Sequence, residues 1–136
     1  MRTLLSLRCA AGALAVVLIS VVPAARAVTP AEQLAGYVAQ AGAPPAPARG
    51  QQLFTSTHGR EWSCSSCHGA VPTQTGKHAS TGKPIGALAP AFNAERFVDA
   101  AKAEKWFRRN CNDVIGRECS PAEKADMLAW LMTLKP

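Results

Sequence analysis

Aromatic residues are scarce in this chain: three Trp, four Phe and one Tyr in 136 residues. So small an aromatic complement makes a self-sufficient core hard to build, and a bound prosthetic group with its own apolar bulk would help the chain fold. Regular alternation of apolar and polar residues is also missing. No stretch keeps it convincingly over six positions, so no sheet is expected. Nor is there room for two ordinary domains. A strong basic excess is lacking as well. Residues 1–27 hold Arg2, Arg8 and Arg26 and no acid, so without them the formal charge falls from +6 to +3. That is too mild for a committed nucleic-acid binder, and no nucleic-acid partner is expected.

The first 27 residues read as a cleaved export signal. Arg2 and Arg8 form a charged start, an apolar run extends from about Cys9 to Val22, and Ala25-Arg26-Ala27 supplies a small-x-small cleavage site. Pro23 and Arg26 cut the run short of the roughly 20 apolar residues that a spanning helix needs. Cys9 stands at the start of the apolar run and not after it, which argues against a lipoprotein. The mature protein is therefore expected in the periplasm, soluble and in a compartment that permits disulfides.

Residues 28–48 read as an N-terminal helix and a Pro-rich linker, and residues 49–136 as the main domain. Thr29-Pro30-Ala31-Glu32 is a helix start, predicting a helix from Ala31 to about Gln40 that uses Leu34, Tyr37 and Val38. Pro44, Pro45 and Pro47 stiffen the linker. A second short helix is expected from Arg49 to Thr57, with Leu53 and Phe54 as its apolar contacts. Residues 69–93 hold four Gly and three Pro and read as irregular loop. A longer helix is expected from about Ala94 to Ile115, capped by Asn93 and stopped by Gly116. Its buried side would be Phe97, Ala101 and Trp106 or Phe107. Ser120-Pro121-Ala122-Glu123 is a capping box with Pro at N1, opening a last helix to about Leu134. The class is all-α, with long loops.

The chemistry lies in Cys64-Ser65-Ser66-Cys67-His68, the Cys-x-x-Cys-His pattern of c-type haem attachment. Two thiols add across the two vinyl groups on one edge of a porphyrin, so they must stand about one helical turn apart. The histidine that follows is then turned under the ring within reach of the iron. A thioredoxin-like pair shares the two cysteines but normally sits in a βαβ context. A zinc site using Cys64, Cys67, Cys111 and Cys119 needs four free thiolates, an unfavourable demand on an exported protein. One covalent haem c, bound by Cys64, Cys67 and His68, is the expectation. Arg49-Gly50-Gln51-Gln52-Leu53-Phe54 resembles the start of the N-terminal helix of class I cytochromes c, and Trp130 resembles the aromatic that packs on that helix.

The residues alone leave the sixth iron ligand open. Methionine is a frequent partner of histidine in cytochromes c. Yet the 69–93 loop contains none, and Met127 and Met132 fall inside the last helix, where methionine more often packs a core. His58 and His78 are available in loops.

The stretch Glu104-Lys105-Trp106-Phe107-Arg108-Arg109-Asn110-Cys111, continuing to Cys119, resembles the sphaeroides haem protein (SHP) family of monohaem cytochromes c. Thr81-Gly82-Lys83-Pro84-Ile85, Leu88-Ala89-Pro90, Ser120-Pro121-Ala122-Glu123-Lys124 and Leu34-Ala35-Gly36-Tyr37 carry the same likeness. The resemblance implies a class I cytochrome c-like fold around one haem. It also implies that Asn110, directly before the first cysteine of the Cys111/Cys119 pair, binds the iron and detaches when the reduced haem takes up oxygen or nitric oxide. A dihaem cytochrome c as electron donor, with a membrane b-type cytochrome nearby, is implied too. Cys111 and Cys119, the only mature cysteines outside the haem motif, are expected to form a disulfide. Lys102, Lys105, Arg108 and Arg109 lead into Asn110 and would steer an acidic partner.

Overall fold

The structure, a computed structural model, describes residues 27–136, so the expected export signal lies almost wholly outside the described residues. The chain order is α1 (Pro30–Ala41), α2 (Pro47–Thr55), α3 (Cys64–His68), β1 (Gly76–Lys77), β2 (Pro84–Ile85), α4 (Ala100–Val114) and α5 (Pro121–Thr133). Helices dominate, as the all-α reading requires.

Local capping fixes the ends of α1 and α5. Thr29 Oγ1 accepts from the Glu32 amide at 3.1 Å, and the Thr29 amide donates to Glu32 Oε2 at 2.7 Å. Gly42, at φ 67°, then stops α1 in the left-handed region that glycine tolerates best. Ser120 and Glu123 close the same reciprocal pair on α5. α5 packs against both α1 and α2. It is consequently buried nearly all round, with Leu128 and Leu131 fully enclosed and Trp130 almost so. Trp130 meets Phe54 of α2 with ring centroids 5.0 Å apart, and Tyr37 of α1 meets Phe107 of α4 edge-on at 5.7 Å.

α2 and α5 cross closely. A Cβ at Gly50 would fall on the Asp126 backbone, so only glycine permits this approach. The Asp126 carboxylate, buried at the crossing, accepts from Arg49 Nε at 2.7 Å, from Arg49 Nη2 at 3.0 Å and from the Ala46 amide at 2.5 Å. A buried carboxylate is tolerable with its oxygens engaged in this way.

Three expectations need correction. Pro47 belongs to α2 rather than to the linker. It stands at the first helical position, where a missing N–H costs nothing, and the helix ends at Thr55 instead of Thr57. α4 begins at Ala100 rather than Ala94, because Phe97 sits at φ 60° and breaks any helix there. Asp99 is the true cap, its Oδ1 accepting from the Lys102 amide at 2.9 Å, while Asn93 caps only a turn through the Glu95 amide at 3.1 Å. Finally, β1 and β2 form a small antiparallel ribbon, Gly76 opposite Ile85 and Lys77 opposite Pro84. Strands of two residues are too short to leave an alternation in sequence. On α4 it is Phe107 that is buried, whereas Trp106 is 41% exposed.

The start of α5 makes stability pH-dependent. The Arg117 guanidinium forks onto Glu123 at 2.8 and 2.7 Å, and the Ser120 amide adds a bond at 2.8 Å. Together they hold the Glu123 carboxyl down at about 2 against partial burial, which opposes them. A carboxylate with a depressed folded-state pKa stabilises the fold above its ordinary value and loses that contribution as pH falls toward the depressed one. Unfolding free energy should therefore drop between about pH 4.5 and 2. The drop should be shallower in Glu123→Gln, as urea titrations across that window would show.

Candidate haem site

The Cys-x-x-Cys-His segment forms its own one-turn helix, α3. Ser63 caps it, taking part in a reciprocal pair with Ser66, and Gly69 at φ 80° ends it. Positions three apart share one helix face, so Cys64 and Cys67 stand together and His68 follows directly. The β-ribbon buttresses this turn. Gly76 lies against it so closely that a Cβ would strike the Cys67 carbonyl, and the Ala79 amide donates to Cys67 Sγ at 3.2 Å. Phe54 of α2 faces the His68 ring, centroids 6.1 Å apart.

These elements wall a cavity of about 780 Å³, a volume within the usual range for cofactor pockets. Cys64, Cys67 and His68 all line it, with Leu88, Phe97 and Phe107 among its apolar surfaces. The donor set fits a covalently held haem. Cys64 and Cys67 are both unpaired, whereas Cys111 and Cys119 are joined, with their Cα atoms 5.6 Å apart. That disulfide removes two of the four thiolates a Cys₄ zinc site would need. Among the described residues, no group of three or more His, Cys, Asp and Glu gathers for a metal. Burial pushes the Cys64 thiol up to about 11. Burial, with the Arg96 charge nearby, pulls His68 down to about 4. His68 is thus a neutral imidazole near pH 7, the form that binds iron.

The candidates for the opposite ligand separate. Asn110 lines the cavity from α4, half-buried beside Phe107, Cys111 and Val114. Its amide has no hydrogen-bond partner among the described residues, whereas Asn112 gives its amide to the Arg108 carbonyl at 2.7 Å. His58 lies in a separate groove, with Nε2 bonded to the Leu53 carbonyl at 2.8 Å. Met132 packs on the core outside the cavity. Met127 and His78 do reach the wall. His78 sits in the ribbon turn, its Nδ1 facing the Thr81 amide at 3.3 Å, next to the segment that holds Cys67.

The cationic face of α4 divides. Lys102, Trp106 and Arg109 reach the cavity rim. Arg109 stacks over Trp106 at 5.6 Å and stands 3.9 Å from Asp113. Two wall residues reach the cavity in ways the sequence did not signal. Phe97 takes part through its unusual backbone, and Arg96 through bonds to the carbonyls of Gly86 and Ala87, which side-chain spacing does not reveal. No helix among the described residues is long and apolar enough to cross a membrane.

Comparison with known proteins agrees with this site. The family model described as a domain of unknown function, DUF1924, matches residues 40–131. The chain is 53% identical over 107 residues to the cytochrome c-type protein SHP of Cereibacter sphaeroides, covering 76% of this chain and 82% of that one. It is 46% identical over 80 residues to cytochrome c'' of Methylophilus methylotrophus, covering 59% and 56% respectively. Among solved structures, that of oxidized SHP, described as an oxygen-binding cytochrome c, superposes with a TM-score of 0.74 at 51% identity, covering 79% of this chain and 99% of that chain. Oxidized cytochrome c'' from M. methylotrophus gives 0.68 at 35% identity, covering 79% and 95%.

Mass measurement after acid-acetone extraction should find one haem retained on the polypeptide. Alkylation of the unreduced, unfolded protein should find no free thiol among Cys64, Cys67, Cys111 and Cys119. Two alkylated cysteines in the 111–119 peptide would refute the disulfide. Haem lost to the solvent would refute the attachment. Motif, helical fold, cavity and relatives converge, and the chain belongs to the SHP family of c-type cytochromes, with one covalent haem c.

Proposed function

We propose that this protein is a periplasmic, redox-gated, gas-binding cytochrome. In this reading Cys64 and Cys67 attach the haem, His68 is its fixed ligand and Asn110 its displaceable one. When bound, the haem supplies an iron that takes up one electron and a coordination position that oxygen or nitric oxide can occupy. The observation that carries the reading is the Asn110 side-chain amide, without a hydrogen-bond partner among the described residues and set on the wall of the cavity that His68 also lines.

Each neighbour of Asn110 has a task. A neutral amide oxygen is a weaker and harder donor than a thioether or an imidazole, so it holds ferric iron better than ferrous iron. Phe107 and Val114 stand beside it on α4, lining the cavity with apolar surface against bulk water. The Cys111–Cys119 disulfide ties the last turn of α4 to the residue preceding the Ser120 cap of α5. Motion therefore falls to the Asn110 side chain rather than to the main chain. On the other side, Phe54 stands against the His68 ring, centroids 6.1 Å apart. The relatives support the reading: one solved structure is described as oxygen-binding SHP, and a solution structure of cytochrome c'' is described in terms of haem-ligand detachment.

Electrons would come from a dihaem cytochrome c, itself served by a membrane b-type cytochrome. The exposed cationic face of α4 favours an acidic donor. Lys102, Lys105 and Arg108 have no carboxylate within ion-pair distance among the described residues, and the nearby Glu104 pairs with Lys124 at 2.7 Å. A second reading, a plain electron shuttle, has one observation in its favour: Met127, a residue type that gives strong sulfur ligation, also reaches the cavity wall.

Optical spectra decide between them. The ferric protein should show a weak sixth ligand, and the ferrous protein should bind carbon monoxide without first displacing a strong one. Asn110→Ala should alter the ferric spectrum and speed carbon monoxide association, while Met127→Leu should leave both spectra nearly unchanged. Loss of a sulfur–iron charge-transfer band in Met127→Leu would favour the shuttle, and an Asn110→Ala variant identical to the parent would remove the gate.

A further inference from the structure

Three cations on the cavity wall, Arg60, Arg96 and Lys102, have no carboxylate within ion-pair distance among the described residues. Arg60 and Lys102 are exposed, and water screens them. Arg96 is half-buried. Its Nε donates to the Ala87 carbonyl at 2.9 Å and its Nη2 to the Gly86 carbonyl at 2.7 Å. Asn93 Nδ2 joins the same Ala87 carbonyl at 3.1 Å. These bonds pin the guanidinium to the 86–87 loop, so the side chain cannot swing out to solvent. They are bonds to neutral dipoles, however, and they leave the charge intact. A partly desolvated cation with no counter-ion is unfavourable by itself.

We infer that Arg96 is a positioning residue whose fixed positive charge raises the reduction potential of the haem, and so sets the point at which Asn110 lets go. This rests on the haem reading above. The step concerned is a one-electron reduction of ferric to ferrous iron by an external one-electron donor, and no bond or proton of Arg96 changes in it. Ferric haem carries one more positive charge than ferrous haem, so a nearby cation disfavours the oxidised form. Arg96 and His68 line the same cavity, so the charge stands on the wall of the space the haem would fill. Leu88, next to the 86–87 loop, lines the wall and is held by its amide hydrogen bond to the Pro72 carbonyl at 3.0 Å.

Spectroelectrochemical titration of the haem-loaded protein without gas tests this. Arg96→Gln should weaken reduction about tenfold, a fall of 59 mV for a one-electron couple. Arg96→Lys, which keeps the charge but loses the fork, should stay close to the parent. Arg96→Met serves as a second neutral variant should Arg96→Gln fail to fold, with the same fall expected. A neutral variant with the parent's potential overturns the inference. So does a Lys variant that falls as far as the neutral ones, because the loop clamp rather than the charge would then matter. The haem reading fails in a different way, by absence of covalent haem from the parent protein itself.

Discussion

The close crossing of α2 and α5 is the constraint on which the rest of the molecule depends. Gly50 lets the two backbones approach, and the Arg49 fork with the Ala46 amide satisfies the Asp126 carboxylate buried there. Both sides of the haem site hang from the helices so joined. Within α5, Trp130 presses on Phe54, and Phe54 faces His68. Just before α5, Cys119 reaches back to Cys111, the residue after Asn110. A shift in the crossing would therefore displace His68 and Asn110 together.

The cavity is built unequally on its two sides. Towards α3, a capped helical turn, the ribbon pressed against it and the Phe54 ring leave little freedom. Towards α4, a disulfide holds the main chain while the Asn110 side-chain amide has no hydrogen-bond partner among the described residues. The proposed gate, which would grip its cofactor permanently and release one ligand, needs this asymmetry. It also explains how a chain with eight aromatic residues folds around so large a hollow. Tyr37, Phe54, Phe107 and Trp130 belong to the core beside the hollow, and a porphyrin held in it would add the apolar bulk the chain lacks.

What was legible in the sequence was what short-range chemistry decides. The caps at Thr29 and Ser120 act within three residues, and α1 and α5 begin where those residues place them. The haem motif is equally local, five residues in one turn. The start of α4 was hidden because Phe97 adopts its left-handed backbone within a tertiary setting, its ring 6.2 Å from that of Phe107. The Arg49–Asp126 pair was hidden by 77 residues of separation, and Arg96 by having backbone carbonyls as its partners. Asn110 stands between these cases. Spacing alone leaves it one polar residue on a helix, and it acquired a role only through the family resemblance. The structure adds its place on the cavity wall.

The central claim is that one uncommitted amide binds iron in one oxidation state and leaves it in the other. The most direct measurement is a pair of crystal structures of the haem-loaded protein, one fully oxidised and one fully reduced, grown without gas. The account predicts the Asn110 side-chain oxygen on the iron in the oxidised form. In the reduced form that side chain should have turned away, with the Cys111–Cys119 backbone unmoved. Met127 sulfur or a His78 nitrogen in that position, or Asn110 bound alike in both states, would contradict it.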